Sequence, residues 1–206
     1  MGSEVSRLCA DLDERMKRFR NRPLEGESPS LWLDAKAIKV RQDGRVVNMA
    51  AVVAIGVQAS GEREVLGFDV GAAETYEFWQ TFLRHLLARG LRGVRLVISD
   101  AHEDLKQAIA DVLAGTSLKR CRVHFMRNLL ARVPKHAQPA VLVEVRSIFA
   151  QPSQALARER LRQVAEALRP RYPQVAALLE EAEEDVLAYM AFPPEHWRRI
   201  HSTNVL

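Results

Sequence analysis

The hydrophobic and polar positions of the chain change pattern several times, and each change marks a new element. Residues 5–21 carry apolar side chains at helical spacing, and Arg22-Pro23 ends that pattern. Extended apolar runs follow at 31–40, 46–57 and 64–70. An Asp-Gly pair at 43–44 separates the first two runs and favours a tight hairpin, because these residues tolerate positive φ. The pattern therefore predicts a helix followed by three antiparallel strands in series.

The next segment alternates between helical and strand patterns. Residues 74–89 place aromatic and leucine side chains on one helical stripe, and Gly90 is a helix stop signal. A short apolar strand is predicted at 94–99, a helix at 103–113 and a basic strand at 117–123. This order predicts an α/β fold whose mixed sheet joins the three antiparallel strands to parallel ones.

From Phe125 onward the pattern is helical throughout. Helices are predicted at 125–133, 140–149, 154–168, 174–190 and 195–200, with prolines between most of them. This block, residues 125–200, is interpreted as an all-helical insertion into the sheet domain. The closing segment His201-Ser-Thr-Asn204 favours the start of one more helix, because Ser, Thr and Asn are preferred N-cap residues.

Charge is distributed unevenly along the 206 residues, although the formal net charge is only +4. Residues 119–171 hold twelve Lys or Arg against three Glu, and residues 174–186 hold acids alone. Such a basic block indicates a nucleic-acid partner, but it is equally typical of solvated helix faces. The two cysteines, Cys9 and Cys121, indicate no disulfide framework. No apolar run reaches the ~20 residues that span a membrane, and we expect an intracellular protein without a membrane partner.

Two aspartates occupy positions that a purely structural role explains poorly. Asp34 lies inside the strand at 31–40, where Asp is disfavoured and burial of an unpaired carboxylate is costly. Asp100 directly follows the strand at 94–99, at the strand end where α/β sheets bind ligands. Together they predict a divalent-cation site. The alternatives are that Asp34 binds backbone amides and that Asp100 caps the following helix, a role compatible with metal binding.

Four motifs, in order, resemble the mutator-type insertion-sequence transposases of bacteria. They are Leu-Asp34-Ala-x-x-x-Lys39-Val-Arg41, Val-Ile-Ser-Asp100-Ala-His-Glu-Asp-Leu-Lys106, Lys119-Arg-Cys121-Arg-Val-His124-Phe-Met-Arg-Asn128-Leu and His201-Ser-Thr-Asn204. The resemblance implies a ribonuclease H-like fold and a DNA transposase that cleaves and joins strands through an Asp-Asp-Glu triad. It places the first two carboxylates at Asp34 and Asp100. It also implies two Mg²⁺ (or Mn²⁺) ions, double-stranded DNA as partner, a homo-oligomer and a bacterial cytoplasmic, nucleoid-associated location.

The same resemblance sets expectations for the extent of the chain. The family's Glu follows the Ser-Thr-Asn motif, beyond Leu206, so the chain is expected to be an internal piece that is inactive by itself. Its predicted parts are 1–29 as the tail of a DNA-binding region, 30–124 as the catalytic core, 125–200 as the insertion and 201–206 as the start of the final catalytic helix. The alternative is a non-catalytic DNA-binding or subunit-association remnant that inhibits a full-length transposase.

The remaining candidates flank the second aspartate. The resemblance implies that His124, in Cys121-x-x-His124, contacts the scissile phosphate or orients Asp100; half of a zinc site and a packed Cys with a hydrogen-bonded His are the alternatives. Phosphate contacts are predicted for the neighbouring arginines, whose guanidinium groups match phosphate oxygens: Arg120, Arg122, Arg127 and Arg132.

Trp197 either stacks on an exposed base or is buried. Glu103 and Asp104 are expected to complement the helix dipole, and Asp69 to lie in a turn.

Overall fold

The computed structural model describes residues 2–58, 60–192, 194 and 197. Its first half contains α1 (Gly2–Asn21), β1 (Ser30–Gln42), β2 (Arg45–Val57), β3 (Arg63–Gly71), α2 (Tyr76–Ala88), β4 (Leu96–Ser99), α3 (Glu103–Val112) and β5 (Ser117–Arg120). Its second half contains α4 (Arg122–Leu130), α5 (Gln138–Phe149), α6 (Gln154–Leu168), α7 (Pro173–Glu181) and α8 (Glu183–Leu187), with short 3₁₀ turns at Lys135–Ala137 and Ala188–Ala191. The predicted α/β class is confirmed. None of the described helices is long and apolar enough to cross a membrane.

The antiparallel meander predicted from the sequence is confirmed. The strands form a five-stranded sheet in the order β3-β2-β1-β4-β5, and both β1–β2 and β2–β3 pair antiparallel. Asp43 and Gly44 close the β1–β2 hairpin with φ of 50° and 76°. Both positive angles are those of a tight hairpin turn, which is why the Asp-Gly pair identifies it.

The chain divides into two compact units. The first contains the described residues up to Leu96 together with Glu103–Thr116, and the second contains Val97–His102 and the described residues from Ser117 onward. In the first unit, α2 buries its predicted apolar stripe, with Trp79, Phe82, Leu83 and Leu86 inaccessible to solvent. Gly67 on β3 permits the approach of this helix, since a Cβ there would stand 3.0 Å from Leu86 Cδ2.

The second unit has a core made almost entirely by its helices. The buried side chains include Phe125 on α4, Val145 and Ile148 on α5, Leu161 on α6 and Leu179 on α7. Phe125 and Phe149 meet edge to face, with ring centres 6.5 Å apart. The helical character predicted from Phe125 onward is confirmed for the described residues, whereas the predicted boundaries of domains stay a prediction.

One predicted helix is wrong in an informative way. The single helix expected at 174–190 is divided into α7, α8 and a 3₁₀ turn, with the first break at Ala182. A continuous helix would place like charges four residues apart, at Glu180 with Glu184 and at Glu181 with Asp185, which is unfavourable. The break instead puts three acids in the first turn of α8, where the helix dipole favours negative charge.

Other predictions differ from the structure at element ends. β4 begins at Leu96 rather than at 94, and β5 ends at Arg120 because α4 already starts at Arg122. Asp69 is not in a turn: it lies inside β3, and its Oδ1 accepts a hydrogen bond from Arg20 Nη2 at 2.8 Å. The helix predicted at 195–200 and the motif at 201–204 lie outside the described residues, apart from Trp197.

Candidate catalytic carboxylates and basic surface

Asp34 lies in β1 at the boundary between its buried and its exposed halves. The three residues before it, Leu31 to Leu33, are buried, and most residues after Ala35 are exposed. Asp34 itself is half-buried and pairs with Val53 of β2, which in turn pairs with Phe68 of β3. Directly opposed residues share a sheet face, so this carboxylate stands beside two apolar side chains. A strand held by partners on β2 fixes the backbone of the carboxylate firmly.

Asp100 stands on a tight turn between β4 and α3 in the second unit. Its side chain is half-buried, and its Oδ1 accepts the backbone N–H of His102 at 3.2 Å. This bond is a local Asx contact with a residue ahead of α3 and satisfies no N–H of the helix itself, so the capping alternative for Asp100 stays a prediction.

The residue after Asp100 has an unusual backbone conformation. Ala101 is buried and has a φ of 59°, in the left-handed region that an L-residue other than Gly, Asn or Asp rarely adopts. The strain is compensated because Ala101 N donates to Ser99 Oγ at 3.0 Å, and Ser99 is itself fully buried. Strained backbone of this kind concentrates at functional sites. Nothing in the hydrophobic pattern of the sequence signals it.

Residues from the β5–α4 junction also form hydrogen bonds with the Asp100 turn. Arg120 Nε donates to Asp100 O at 3.2 Å, and Cys121 N donates to Ser99 O at 2.5 Å. Arg120 also lies over the Phe125 ring, 5.8 Å from its centre. Arg120 therefore helps to shape the Asp100 turn, a role that sequence reasoning missed; its predicted contact with phosphate stays a prediction.

The Cys-x-x-His motif spans the start of α4. Cys121 precedes the first residue of α4 and is fully buried, whereas His124 is half-buried on its first turn. The packed cysteine matches one of the alternatives weighed for this motif. Among the described residues no three His, Cys, Asp or Glu side chains cluster as a metal-binding group. The role of His124 toward Asp100 or phosphate stays a prediction.

Lys119 is the ionisable residue whose environment the sequence did not reveal. It was counted in the basic block, yet its side chain is fully buried in β5, with Nζ 5.1 Å from the centre of the Tyr189 ring. Nζ has no hydrogen-bond partner among the described residues. Burial lowers the pKa of Lys119 to about 7; the charge of Cys121 opposes this shift and that of Arg122 reinforces it. Lys119 is therefore unavailable as a surface phosphate contact.

Much of the remaining basic block is paired within the second unit. Arg158 contacts Glu184 at 2.7 Å, Arg160 contacts Glu144 at 2.8 Å and Arg169 contacts Glu180 at 2.6 Å. Two of these three acids belong to the acidic stretch at 174–186, so the two charged blocks neutralise each other in part. These arginines of the basic block are thus engaged with acids of the same unit.

Three of the predicted arginines lie on or just after α4. Arg127 and Arg132 are exposed, and no ion pair to either occurs among the described residues. Arg122 is half-buried and covers the Phe149 ring at 5.3 Å. It also lines a cavity of about 610 Å³ between α4 and α5, whose other walls include Met126, Leu142 and Arg146.

Trp197 is half-buried, its Nε1 donates to Phe192 O at 2.7 Å, and its ring meets Tyr189 edge to face.

Comparison with known proteins gives a consistent result across the chain. The model of a family described as "Transposase, Mutator family" matches residues 2–206. The chain is 43% identical over 203 residues to the transposase for insertion sequence element IS1081 of Mycobacterium tuberculosis. It is 40% identical over 205 residues to the transposase for element IS406 of Burkholderia multivorans, and 36% identical over 207 residues to that for element IS256 in transposon Tn4001 of Staphylococcus aureus.

These alignments cover nearly all of this chain but only part of each relative. They span 98%, 99% and 99% of the chain, against 49%, 53% and 53% of the three relatives. The chain thus spans about half the length of the curated relatives it matches.

Proposed function

Because the chain belongs to the Mutator family of transposases, we propose that it provides the first two carboxylates, Asp34 and Asp100, of a DNA transposase. The proposed fold of the core is ribonuclease H-like, and the proposed reaction is metal-dependent cleavage and strand transfer at insertion-sequence ends. The observation that carries the proposal is the Asp100 turn, which is strained at Ala101 and braced by Ser99 and Arg120. Strained backbone that is held in this way concentrates at functional sites.

The donor chemistry of these residues fits Mg²⁺ or Mn²⁺. Both ions favour hard carboxylate oxygens, and each aspartate is half-buried, accessible enough for a ligand and sheltered enough to be held in place. Asp34 and Asp100 would hold the ions, with a third carboxylate supplied from the helix that follows the Ser-Thr-Asn motif in the family. When bound, such ions would supply Lewis-acid polarisation of a phosphoryl group.

The other residues of the proposed site act on the DNA or on the aspartates. Arg120 keeps the Asp100 carbonyl in place, and His124 on the first turn of α4 contacts the scissile phosphate or orients Asp100. Arg122, Arg127 and Arg132 bind backbone phosphates of double-stranded DNA without reading sequence. By its resemblance to this family, we further propose a bacterial cytoplasmic protein at the nucleoid that acts as a homo-oligomer.

The proposal is tested in a chimaera in which this chain replaces the matching half of the Mycobacterium tuberculosis relative. With Mg²⁺ and DNA carrying that element's ends, we expect cleavage and strand joining. Asp34→Asn or Asp100→Asn should abolish both while DNA binding persists, because each change removes a charged metal ligand and leaves the phosphate contacts.

Glu103→Gln is the matched control, since it removes an exposed acid from the first turn of α3. It should retain cleavage. The polypeptide of residues 1–206, tested separately, is expected to bind DNA without cutting it, because it holds two of the three carboxylates. Cleavage that survives either asparagine, or that depends on Glu103, would overturn the assignment of the site.

The second candidate function is a DNA-binding or subunit-association module without catalysis that inhibits a complete transposase. The exposed arginines at 127 and 132 favour the DNA-binding part of this alternative. It predicts that residues 1–206, added to the intact relative, lower its strand transfer, and that Asp34→Asn leaves this inhibition unchanged.

A further inference from the structure

Most of α1 has no contact that buries it. Every residue from Glu4 to Arg18 is exposed, a stretch of four helical turns. Its C-terminal end is anchored to the first unit. Phe19 stacks on Phe68 with ring centres 5.8 Å apart, and Arg20 pairs with Asp69. An isolated helix of this length is marginal in water, so the anchored end alone gives the first turns little support.

The exposed part of α1 is amphipathic. Val5, Leu8, Leu12 and Met16 lie on one face and are 63%, 59%, 54% and 45% exposed. We call these four residues the α1 stripe; the exposed Cys9 lies at its border. A helix face of this kind normally packs against a partner. The stripe is thus an interaction surface that nothing in the described structure covers.

The charges of α1 are divided along its length. Four of the five charged residues in its first part are acidic, at Glu4, Asp11, Asp13 and Glu14, and the last part is basic, at Arg15, Lys17, Arg18 and Arg20. A segment that complements this helix must therefore be amphipathic and carry its charges in the opposite order. The same helix running in the reverse direction has both properties.

We propose that α1 is a self-association element, which pairs antiparallel with α1 of a second copy of this chain. Pairing about a point between residues 10 and 11 puts Val5 opposite Met16 of the second copy, and Cys9 opposite Leu12. In this register Glu4 approaches Arg18 of the second copy at each end of the pair, on the same flank of the stripe. A parallel pair would bring like charges together along the whole length. The proposal does not depend on the catalytic role of either aspartate.

The first test is the mass of residues 1–206 in solution, measured by sedimentation across a range of concentrations up to hundreds of micromolar. We expect the 23.3 kDa chain to shift to twice that mass as concentration rises. Leu8→Glu with Leu12→Glu should keep it monomeric, with unchanged circular dichroism, since both positions are exposed. Val143→Glu, an exposed apolar position on α5 that is 68% accessible, is the matched control and should leave the dimer intact.

The second test establishes the direction of pairing. Glu4→Arg alone and Arg18→Glu alone should each weaken the dimer at least severalfold, because each puts like charges together at both ends. The double variant should restore it, since the two charges are exchanged across the antiparallel pair. In a parallel pair Glu4 and Arg18 are far apart, and the double variant would show no rescue.

Each outcome bears on the proposal. A monomer at every concentration, or a dimer indifferent to the two Leu→Glu changes, would overturn it and leave the stripe to another occupant, such as a segment preceding α1. A dimer lost on the Leu→Glu changes but not rescued by the charge exchange would refute the antiparallel arrangement. Mass and rescue are measured without DNA or metal, so failure here is distinguishable from failure of the proposed catalytic function.

Discussion

Lys119 shows how strongly the surroundings of one residue change its chemistry. In sequence it is one base among twelve in the block at 119–171, and an ammonium there would be assigned to the DNA-binding surface. In the structure it is enclosed in the second unit beside Tyr189, and burial lowers its pKa to about 7. Sequence alternation could not reveal this, because a lysine on a four-residue strand looks the same whether it points to solvent or inward.

Replacing this lysine tests its burial. The folded-state pKa lies below the unfolded-state value, so the unfolded chain binds more protons between pH about 7 and 10.5, and stability rises with pH across that window. Lys119→Met should remove this slope and raise the free energy of unfolding near pH 7 by roughly 2–4 kcal/mol. Denaturant titrations at both ends of the window measure the effect.

The control for Lys119 is Lys135→Met, which removes an exposed lysine from the 3₁₀ turn before α5. It should change stability little and leave the pH slope in place. A Lys119→Met protein that loses stability near neutral pH would contradict the burial of an ammonium at this position.

At the scale of elements, the sequence predicts which helices and strands exist better than it predicts where each begins and ends. The meander, α2 and α6 follow from local periodicity, from Asp-Gly at the hairpin and from Gly90 after α2, all of which act within a few residues. The break at Ala182 depends on repulsion among acids and on their arginine partners, Arg158 on α6 and Arg169 directly after it. Those partners are distant in sequence, so the periodic apolar pattern alone predicted one continuous helix.

At this scale we predict how replacing Gly90 changes the stability of the protein. Its φ is 110°, and a Cβ at this position would stand 2.6 Å from Leu24 O. Leu24 is held there because its backbone N–H donates to Arg89 O at 2.7 Å. Gly90→Ala should lower the free energy of unfolding by roughly 3 kcal/mol, through backbone strain together with the clash. Thermal or denaturant unfolding measures the loss.

Gly115, which follows α3, separates these two causes. Its φ is 84°, but a Cβ there would meet nothing within 4 Å. Gly115→Ala should therefore show the strain alone, about 1 kcal/mol. Equal losses at the two glycines would mean that the contact with Leu24 contributes nothing.

At the scale of the whole molecule, the sequence predicts two candidate carboxylates but not what surrounds them. Asp34 stands out as an acid within an apolar strand, and Asp100 as an acid directly after one; both signals are visible in the sequence alone. The bracing of Asp100 by Arg120 and Ser99 depends on contacts that periodicity does not encode. The internal neutralisation of the basic block was likewise hidden, because Arg158 and Glu184 are 26 residues apart.

DNA binding is the molecular property that this charge distribution predicts. Arg127→Ala with Arg132→Ala should weaken binding to double-stranded DNA of any sequence and reduce the slope of log affinity against log salt by about two. Fluorescence anisotropy at several salt concentrations measures both. Arg169→Ala is the control, because its guanidinium is already paired with Glu166 and Glu180. Binding that is the same at low and moderate salt would contradict the basic-surface interpretation.

The division into two units also affects how the chain is made. The path leaves the first unit after Leu96, returns to it at Glu103, and leaves again after Thr116, so neither unit is one continuous stretch. The six residues that contain Asp100 emerge from the ribosome before any other part of the unit to which they belong. Since domains fold largely as they are synthesised, the strained turn at Ala101 must wait for Arg120 and Cys121 before it can close. The Asp100 turn is thereby completed late, after the meander that carries Asp34 has already formed.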